Sequence, residues 1–143
     1  MAGELAIGVD LGGTKILAGL VSREGEIHST TEVPTPTGSA DAILAAVAGL
    51  VATLVDGAAA VGLGVPCNLD RATGICHRAT NLPLPGFDFP TALRERVSLP
   101  IGIENDGNAA ALAEWRLGAG RGADTLVMLT LGTGVGGGLV LDG

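Results

Sequence analysis

Two aspartates and two glycine turns are the residues of this sequence whose types and spacing could do chemistry. Asp10 closes an apolar run and leads into Leu11-Gly12-Gly13-Thr14, with Lys15 next in the chain. A turn of small residues between two strands exposes backbone N–H groups at close range, and such a nest suits the oxygens of a polyphosphate. Gly132-Thr133-Gly134 offers a second turn of the same kind. A carboxylate at Asp10 would repel phosphate oxygens unless a cation stood between them, so Mg²⁺, bound directly or through water, is its natural partner. Asp106 follows a short apolar strand at the start of an alanine-rich helix, where the helix dipole favours its ionised form. It is therefore an available proton acceptor at neutral pH. Phosphoryl transfer asks the protein for little more than a carboxylate to orient the attacking hydroxyl, Mg²⁺, and a cradle of amides. Asn105 beside Asp106, and Asn81 on a loop, add hydrogen-bonding groups that suit a polyhydroxyl ligand.

Each residue also has an ordinary explanation: a turn-capping aspartate at 10, a helix cap at 105 and 106, a loop asparagine at 81, a glycine hairpin at 12 and 13. Repetition weighs against the ordinary reading of the turns. A shift of 120 positions lays Asp10-Leu11-Gly12 on Thr130-Leu131-Gly132, and the second strand of the opening segment on Val135 to Leu141. One supersecondary unit is used twice, and two such turns could close on one triphosphate from opposite sides.

Competing phosphate motifs fail their own criteria. Gly8 to Lys15 approaches a Walker A loop, but Thr14 and Lys15 stand in reversed order and a strand follows. Gly132 to Gly137 satisfies GxGxxG formally, yet Leu139-Val140-Leu141 reads as strand where a dinucleotide fold needs a helix. Trp115 lies more than two helical turns past Asp106 and is assigned to packing, and Glu114 to the helix surface. His28 and His77 have no nucleophile or carboxylate at readable spacing. Cys67 and Cys76, with His77, fall short of the four ligands of a zinc site and read as reduced thiols.

The elements that must position these residues follow from apolar patterning. Leu5–Asp10, Ile16–Val21 and Ile27–Val33 read as three antiparallel strands. Pro34, Pro36 and Gly38 break the pattern; Ser39 and Asp41 then cap a helix with Ile43, Val47, Leu50, Val51 and Leu54 on its apolar face, ended by Asp56-Gly57. Val61–Val65 is a buried strand stopped by Pro66, and an irregular stretch follows through Asn81 to Asp88. A short helix over Thr91–Arg96, a strand over Pro100–Glu104 and the helix from Asn105 to about Leu117 complete the unit. Strands alternating with helices after Ser39 imply a parallel extension of the opening sheet. Gly118 to Asp124 is a glycine-rich joint, so residues 1–120 are expected to form one lobe and residues 121–143 the beginning of a second, cut short after Asp142-Gly143.

Composition bounds the function. The chain has 143 residues, 47 % of them apolar, which suits one packed lobe, and a formal net charge of −7. Its eight Lys and Arg are scattered, so no nucleic-acid partner and no anionic membrane surface is expected. Neither a signal-peptide pattern nor a membrane span is evident, and the cytoplasm is the expected compartment.

These motifs together resemble those of the ROK family of sugar kinases, glucokinases in particular. Gly8-Val-Asp-Leu-Gly-Gly-Thr-Lys15 is similar to that family's first phosphate motif, Thr80-Asn-Leu-Pro83 to its sugar loop, and Glu104-Asn-Asp-Gly-Asn-Ala109 to its catalytic segment. Glu114–Gly120 and Leu131–Gly138 resemble the next two blocks. The resemblance covers nearly the whole chain in order. It implies an α/β fold: an actin-like ATPase (ribonuclease H-like) lobe, its mixed sheet built from antiparallel β1-β2-β3 followed by parallel strands, with helices on both faces. It also implies ATP with Mg²⁺ as cofactors, a hexose as the small-molecule partner, and a homodimer. Asp106 becomes the base, Asn81 and Asn105 help hold the sugar, and the turns Gly12-Gly13-Thr14-Lys15 and Gly132-Thr133-Gly134 hold the phosphates.

Two departures stand out. Family members usually carry Gly after the proline that ends the fourth strand, whereas Cys67 follows Pro66 here, placing a side chain at a turn expected to face the sugar. The family's second half, with its structural Zn²⁺ loop, adenosine pocket and remaining sugar ligands, has no counterpart in the sequence, so an amino-terminal part, inactive alone, is expected. A sugar-sensing transcriptional regulator is the first alternative, although the phosphate motif begins by Gly8 and leaves no room for a preceding helix-turn-helix. A non-catalytic actin-like interaction domain is the second, since an unfinished hairpin leaves a sheet edge open.

Overall fold

The computed structural model describes residues 4–132 and 134–143. Three strands, β1 (Leu5–Leu11), β2 (Lys15–Ser22) and β3 (Ile27–Pro34), pair antiparallel in succession. Helix α1 (Ala40–Leu54) follows, with Ser39 Oγ accepting from Ala42 N–H at 3.1 Å to satisfy an amide at its start. The chain then enters β4 (Ala58–Val65), which pairs parallel with β1 on the side away from β2. A small ribbon of β5 (Cys67–Leu69) and β6 (Cys76–Ala79), the short helix α2 (Phe89–Arg94) and strand β7 (Ile101–Asn105) follow. Strand β7 pairs parallel with β4, and the sheet order is β3-β2-β1-β4-β7. The mixed sheet expected from the sequence is thus formed.

One face of this sheet holds the core. Period-two alternation points Ile7, Val9 and Leu11 of β1, Ile16 and Ala18 of β2, and Val61, Leu63 and Val65 of β4 to the side where α1 buries Ile43, Leu44, Val47, Leu50 and Val51. Each fully buried branched side chain contributes roughly 1.5–3 kcal/mol, so this layer carries most of the stability.

The opposite face has almost no side chains at its centre. Gly19, Gly8, Gly62 and Gly102 stand opposite one another across β2, β1, β4 and β7. A Cβ added at Gly8, Gly62 or Gly102 would meet nothing within 4 Å. The result is a smooth trough of about 770 Å³, bounded by Leu17, Val21 and Ile27 at one side and by helix α3 (Asp106–Leu117) at the other.

Helix α3 separates this sheet from the second copy of the opening hairpin, β8 (Leu126–Leu131) and β9 (Val135–Val140). Small residues allow the close approach. A Cβ at Gly138 would lie 2.6 Å from Ala111 Cβ and 3.0 Å from Gly107 O, and one at Gly107 would lie 2.7 Å from Gly137 O. The pairs Val127–Leu139, Leu129–Gly137 and Leu131–Val135 repeat the pairs Ile7–Leu20, Val9–Ala18 and Leu11–Ile16 of the first hairpin. In the first hairpin that face is buried under α1. In the second it is open, with Val127 64 % and Leu131 80 % exposed.

Several boundaries differ from the sequence expectation. The stretch after Pro66, read as irregular, contains the β5–β6 ribbon, whose strands are too short for alternation to register. Helix α2 starts at Phe89 rather than Thr91, because Asp88 Oδ1 accepts from Thr91 N–H and Pro90 occupies the first turn, where its missing N–H costs nothing. Strand β4 begins at Ala58, three residues ahead of the branched residues that announced it. Glu114 is more than a surface charge: its Oε2 accepts from Ala119 N–H at 2.9 Å and closes the end of α3.

Replacing Gly138 with Ala should push the second hairpin off α3, costing about 1–3 kcal/mol as overpacking does. Chemical denaturation followed by Trp115 fluorescence measures this, since Trp115 Nε1 donates to Ala123 O at the same junction. A variant as stable as the parent would show slack between the two elements.

Candidate functional site

The carboxyl ends of the parallel-paired strands converge on one row of residues. Asp10 of β1, Gly64 of β4 and Glu104 of β7 are register partners across the sheet. Crevices at the carboxyl ends of such strands are the usual ligand positions in α/β sheets. Asp106, the first residue of α3, rests over the middle of this row: a Cβ at Gly64 would lie 3.6 Å from Asp106 Cα. A Cβ there would make only ordinary contact, but a side chain reaching further would press on the helix start, so a small residue at 64 leaves room for Asp106 between Asp10 and Glu104.

Asp10, Glu104 and Asp106 line one end of the trough together with Thr130, the counterpart of Asp10 in the second copy. The leading residues of both glycine turns therefore border a common space. Apart from Thr30, the rest of the trough is glycine and aliphatic, with few of the polar groups a sugar requires. Chemistry is confined to its carboxylate end. Asp106 is exposed there rather than packed in the core.

Partial burial raises the Asp10 carboxyl above its ordinary pKa; nearby Asp106 raises it further, and Lys15 opposes them. A carboxyl whose charge is disfavoured by burial and by a neighbouring carboxylate suits a nearby cation. Among the described residues no three His, Cys, Asp or Glu side chains form a cage. The carboxylate chemistry of Asp10 is of the kind that suits Mg²⁺, which is commonly held by one or two carboxylates together with phosphate oxygens and water.

The start of α3 is tightly tied. Asn105 Oδ1 accepts from Asn108 N–H at 3.1 Å and caps the helix, while its Nδ2 donates to Cys67 O at 3.2 Å. Asp106 Oδ1 accepts from Gly107 N–H at 2.8 Å. Glu104 Oε1 accepts from Asn105 N–H at 2.8 Å and Asn108 Nδ2 at 3.1 Å. Much of the hydrogen-bonding capacity of Asn105 is consequently spent on structure.

The first glycine turn is equally anchored. Gly12 N–H donates to Lys15 O at 3.0 Å, and a Cβ at Gly12 would lie 2.7 Å from that same oxygen, so only glycine fits. Thr35, the first residue after β3, reaches back to the turn: its Oγ1 donates to Gly12 O at 2.7 Å and its N–H to Thr14 O at 2.9 Å. Gly13, Thr14 and Lys15 are exposed, and Lys15 Nζ pairs with Glu32 Oε2 at 2.7 Å on the surface. Such an exposed pair is weak, and a phosphate could replace the carboxylate.

The structure does not gather every expected residue. Asn81 is exposed on the loop between β6 and α2 and does not line the space shared by Asp10 and Asp106. Gly132 and Gly134 are exposed at the tip of the second hairpin, joined by a bond from Gly132 N–H to Gly134 O at 3.0 Å; Thr133 lies outside the described residues. Cys67, expected to put a side chain at a sugar-facing turn, is instead buried. Burial and a hydrogen bond with Cys76 push its thiol well above the usual range, and only its carbonyl serves the site. Thr35 escaped the sequence reading, and Glu104 stood in the catalytic segment without a role of its own. A threonine between two prolines and a glutamate next to a capping asparagine were the available signals.

Replacing Thr35 with Val keeps the shape of a side chain only 8 % exposed but removes the donor to Gly12 O. A loss of about 1–2 kcal/mol is expected for an acceptor left without its partner. Urea denaturation gives the stability, and amide exchange at Gly12 and Gly13 should quicken; unchanged exchange would show that the turn holds itself.

The sequence and the fold have known counterparts. The chain is 43 % identical to a glucokinase of Streptomyces coelicolor and 41 % identical to one of Thermotoga maritima, matching 96 % of this chain and 44 % of each relative. A solved ROK family glucokinase from Streptomyces griseus, in complex with glucose and AMPPNP, superposes with a TM-score of 0.91 at 43 % identity, over 96 % of this chain and 45 % of that one. The chain thus spans under half the length of the relatives it matches. The ROK family pattern fits residues 6–143, taking in both hairpins and the helix that carries Asp106, and the chain belongs to the ROK family.

Proposed function

We propose that the protein phosphorylates a hexose at the expense of ATP, with Asp106 as the base and glucose as the favoured sugar. The observation that carries this reading is the meeting of Asp10, Asp106 and Thr130 on one space, with Asp106 exposed and seated over Gly64. The glucokinase relatives support the choice of reaction and of sugar. Because the span covers 44 % of those relatives, the activity proposed is that of the whole protein to which it contributes.

In this reading a sugar hydroxyl stands within hydrogen-bond reach of Asp106. The carboxylate aligns it and accepts its proton as the oxygen forms a bond to the γ-phosphorus of ATP. The bond from that phosphorus to the bridging oxygen breaks, ADP leaves, and the proton passes from Asp106 to solvent. The amides of Gly13 and Thr14 cradle phosphate oxygens from the first lobe, in a turn held by the Gly12 N–H bond to Lys15 O, with Lys15 released from Glu32 as a counter-charge, and the turn from Gly132 to Gly134 approaches the phosphates from the second. Mg²⁺ beside Asp10 would neutralise charge on the transferring group. Asn81 and Asn105 contribute hydrogen bonds to the sugar, Asn105 with whatever capacity its helix cap leaves.

A coupled assay of ADP release by the full-length protein over a panel of hexoses tests this. Asp106→Asn should keep the helix cap and sugar affinity while lowering kcat by roughly a hundred-fold or more. Retention of turnover by that variant would remove Asp106 from the chemistry.

A further inference from the structure

The Asp106 carboxylate takes its recorded hydrogen bond from Gly107 N–H, within its own helix turn. Its aim is therefore set by the backbone at the start of α3. That backbone is fastened by a closed triangle: Asn105 N–H donates to Glu104 Oε1, Asn108 Nδ2 donates to the same oxygen, and Asn108 N–H donates to Asn105 Oδ1. The triangle spans the residues on both sides of Asp106, and the Asn105 bond to Cys67 O ties it to β5.

On the reading of Asp106 as base, we propose that Glu104 is a positioning residue that aims the Asp106 carboxylate by clamping Asn105 and Asn108 together. Geometry distinguishes this from a bystander charge. Glu104 ends the register row that begins with Asp10, so a carboxylate there adds a third negative group to one end of the trough. Electrostatics alone would favour a neutral residue beside a phosphate site. What the position uses is one acceptor oxygen, since both recorded bonds end on Oε1. An amide oxygen can accept the same two bonds.

The full-length protein carrying Glu104→Ala, Glu104→Gln or Asn108→Ala, compared with the parent and Asp106→Asn, provides the test. Glu104→Ala should lower kcat by about ten- to a hundred-fold, the range a small misplacement of a catalytic group produces, with the KM for sugar and ATP nearly unchanged. Glu104→Gln should restore most of that loss. Asn108→Ala, which removes one arm from the other side, should show a smaller fall in kcat and decides the matter if Glu104→Ala does not fold. Parental kcat in Glu104→Ala, or in Asn108→Ala where the former does not fold, overturns the proposal. So does a Glu104→Gln variant as impaired as the alanine, which would mean that charge matters rather than the acceptor. A parent inactive on every hexose, or a fully active Asp106→Asn, would instead overturn the kinase reading itself.

Discussion

The seat of Asp106 at contact distance over the small residue Gly64 is the constraint on which the site depends. Strands β1, β4 and β7 bring Asp10, residue 64 and Glu104 into one row at their carboxyl ends, and α3 must begin immediately after β7. With only an ordinary contact distance available between residue 64 and Asp106, the first turn of α3 can settle on the sheet and hold its aspartate between the two flanking carboxylates. A bulkier residue would tilt the helix away from the row and separate Asp106 from Asp10. Strand propensity argues against glycine in a central strand, and here the small residue leaves the first turn of α3 at ordinary contact distance from the sheet.

Settling α3 in that place has a second consequence, because the same helix is the seat of the second hairpin. Gly107 and Ala111 face Gly137 and Gly138 at distances that admit nothing larger. One helix of small residues thereby fixes two glycine turns relative to each other, and Asp10 and Thr130 reach the same space. The duplicated hairpins differ in what covers them: α1 buries the aliphatic face of the first, whereas the matching face of the second, Val127, Leu129, Leu131, Val135 and Leu139, is exposed.

The polar residues around the site accept unfavourable electrostatics for the sake of placement. Asp10 is partly desolvated and lies near Asp106, so its ionised form is disfavoured in the folded chain. Local conflicts of this kind are expected where a protein has built a site rather than a core. Directional bonds hold the pieces in place: Thr35 pins the first turn from a neighbouring segment, and Glu104 closes the triangle at the start of α3.

The sequence by itself determined the elements and the chemistry of the residues. Alternating Ile7, Val9 and Leu11, the Ser39 cap, the repeat at a spacing of 120 and the Asn105-Asp106 pair ahead of an alanine-rich helix are local patterns, each legible because its cause lies within a few residues. Tertiary structure decided which residues meet. The row from Asp10 through Gly64 to Glu104 depends on strand register, and register joins positions far apart in the chain, which periodicity does not encode. The same holds for Thr35 reaching Gly12, and for Cys67 turning its thiol toward Cys76 while its carbonyl supports Asn105. Side-chain direction at a turn is set by what packs beneath it, and that is known only once the sheet has formed.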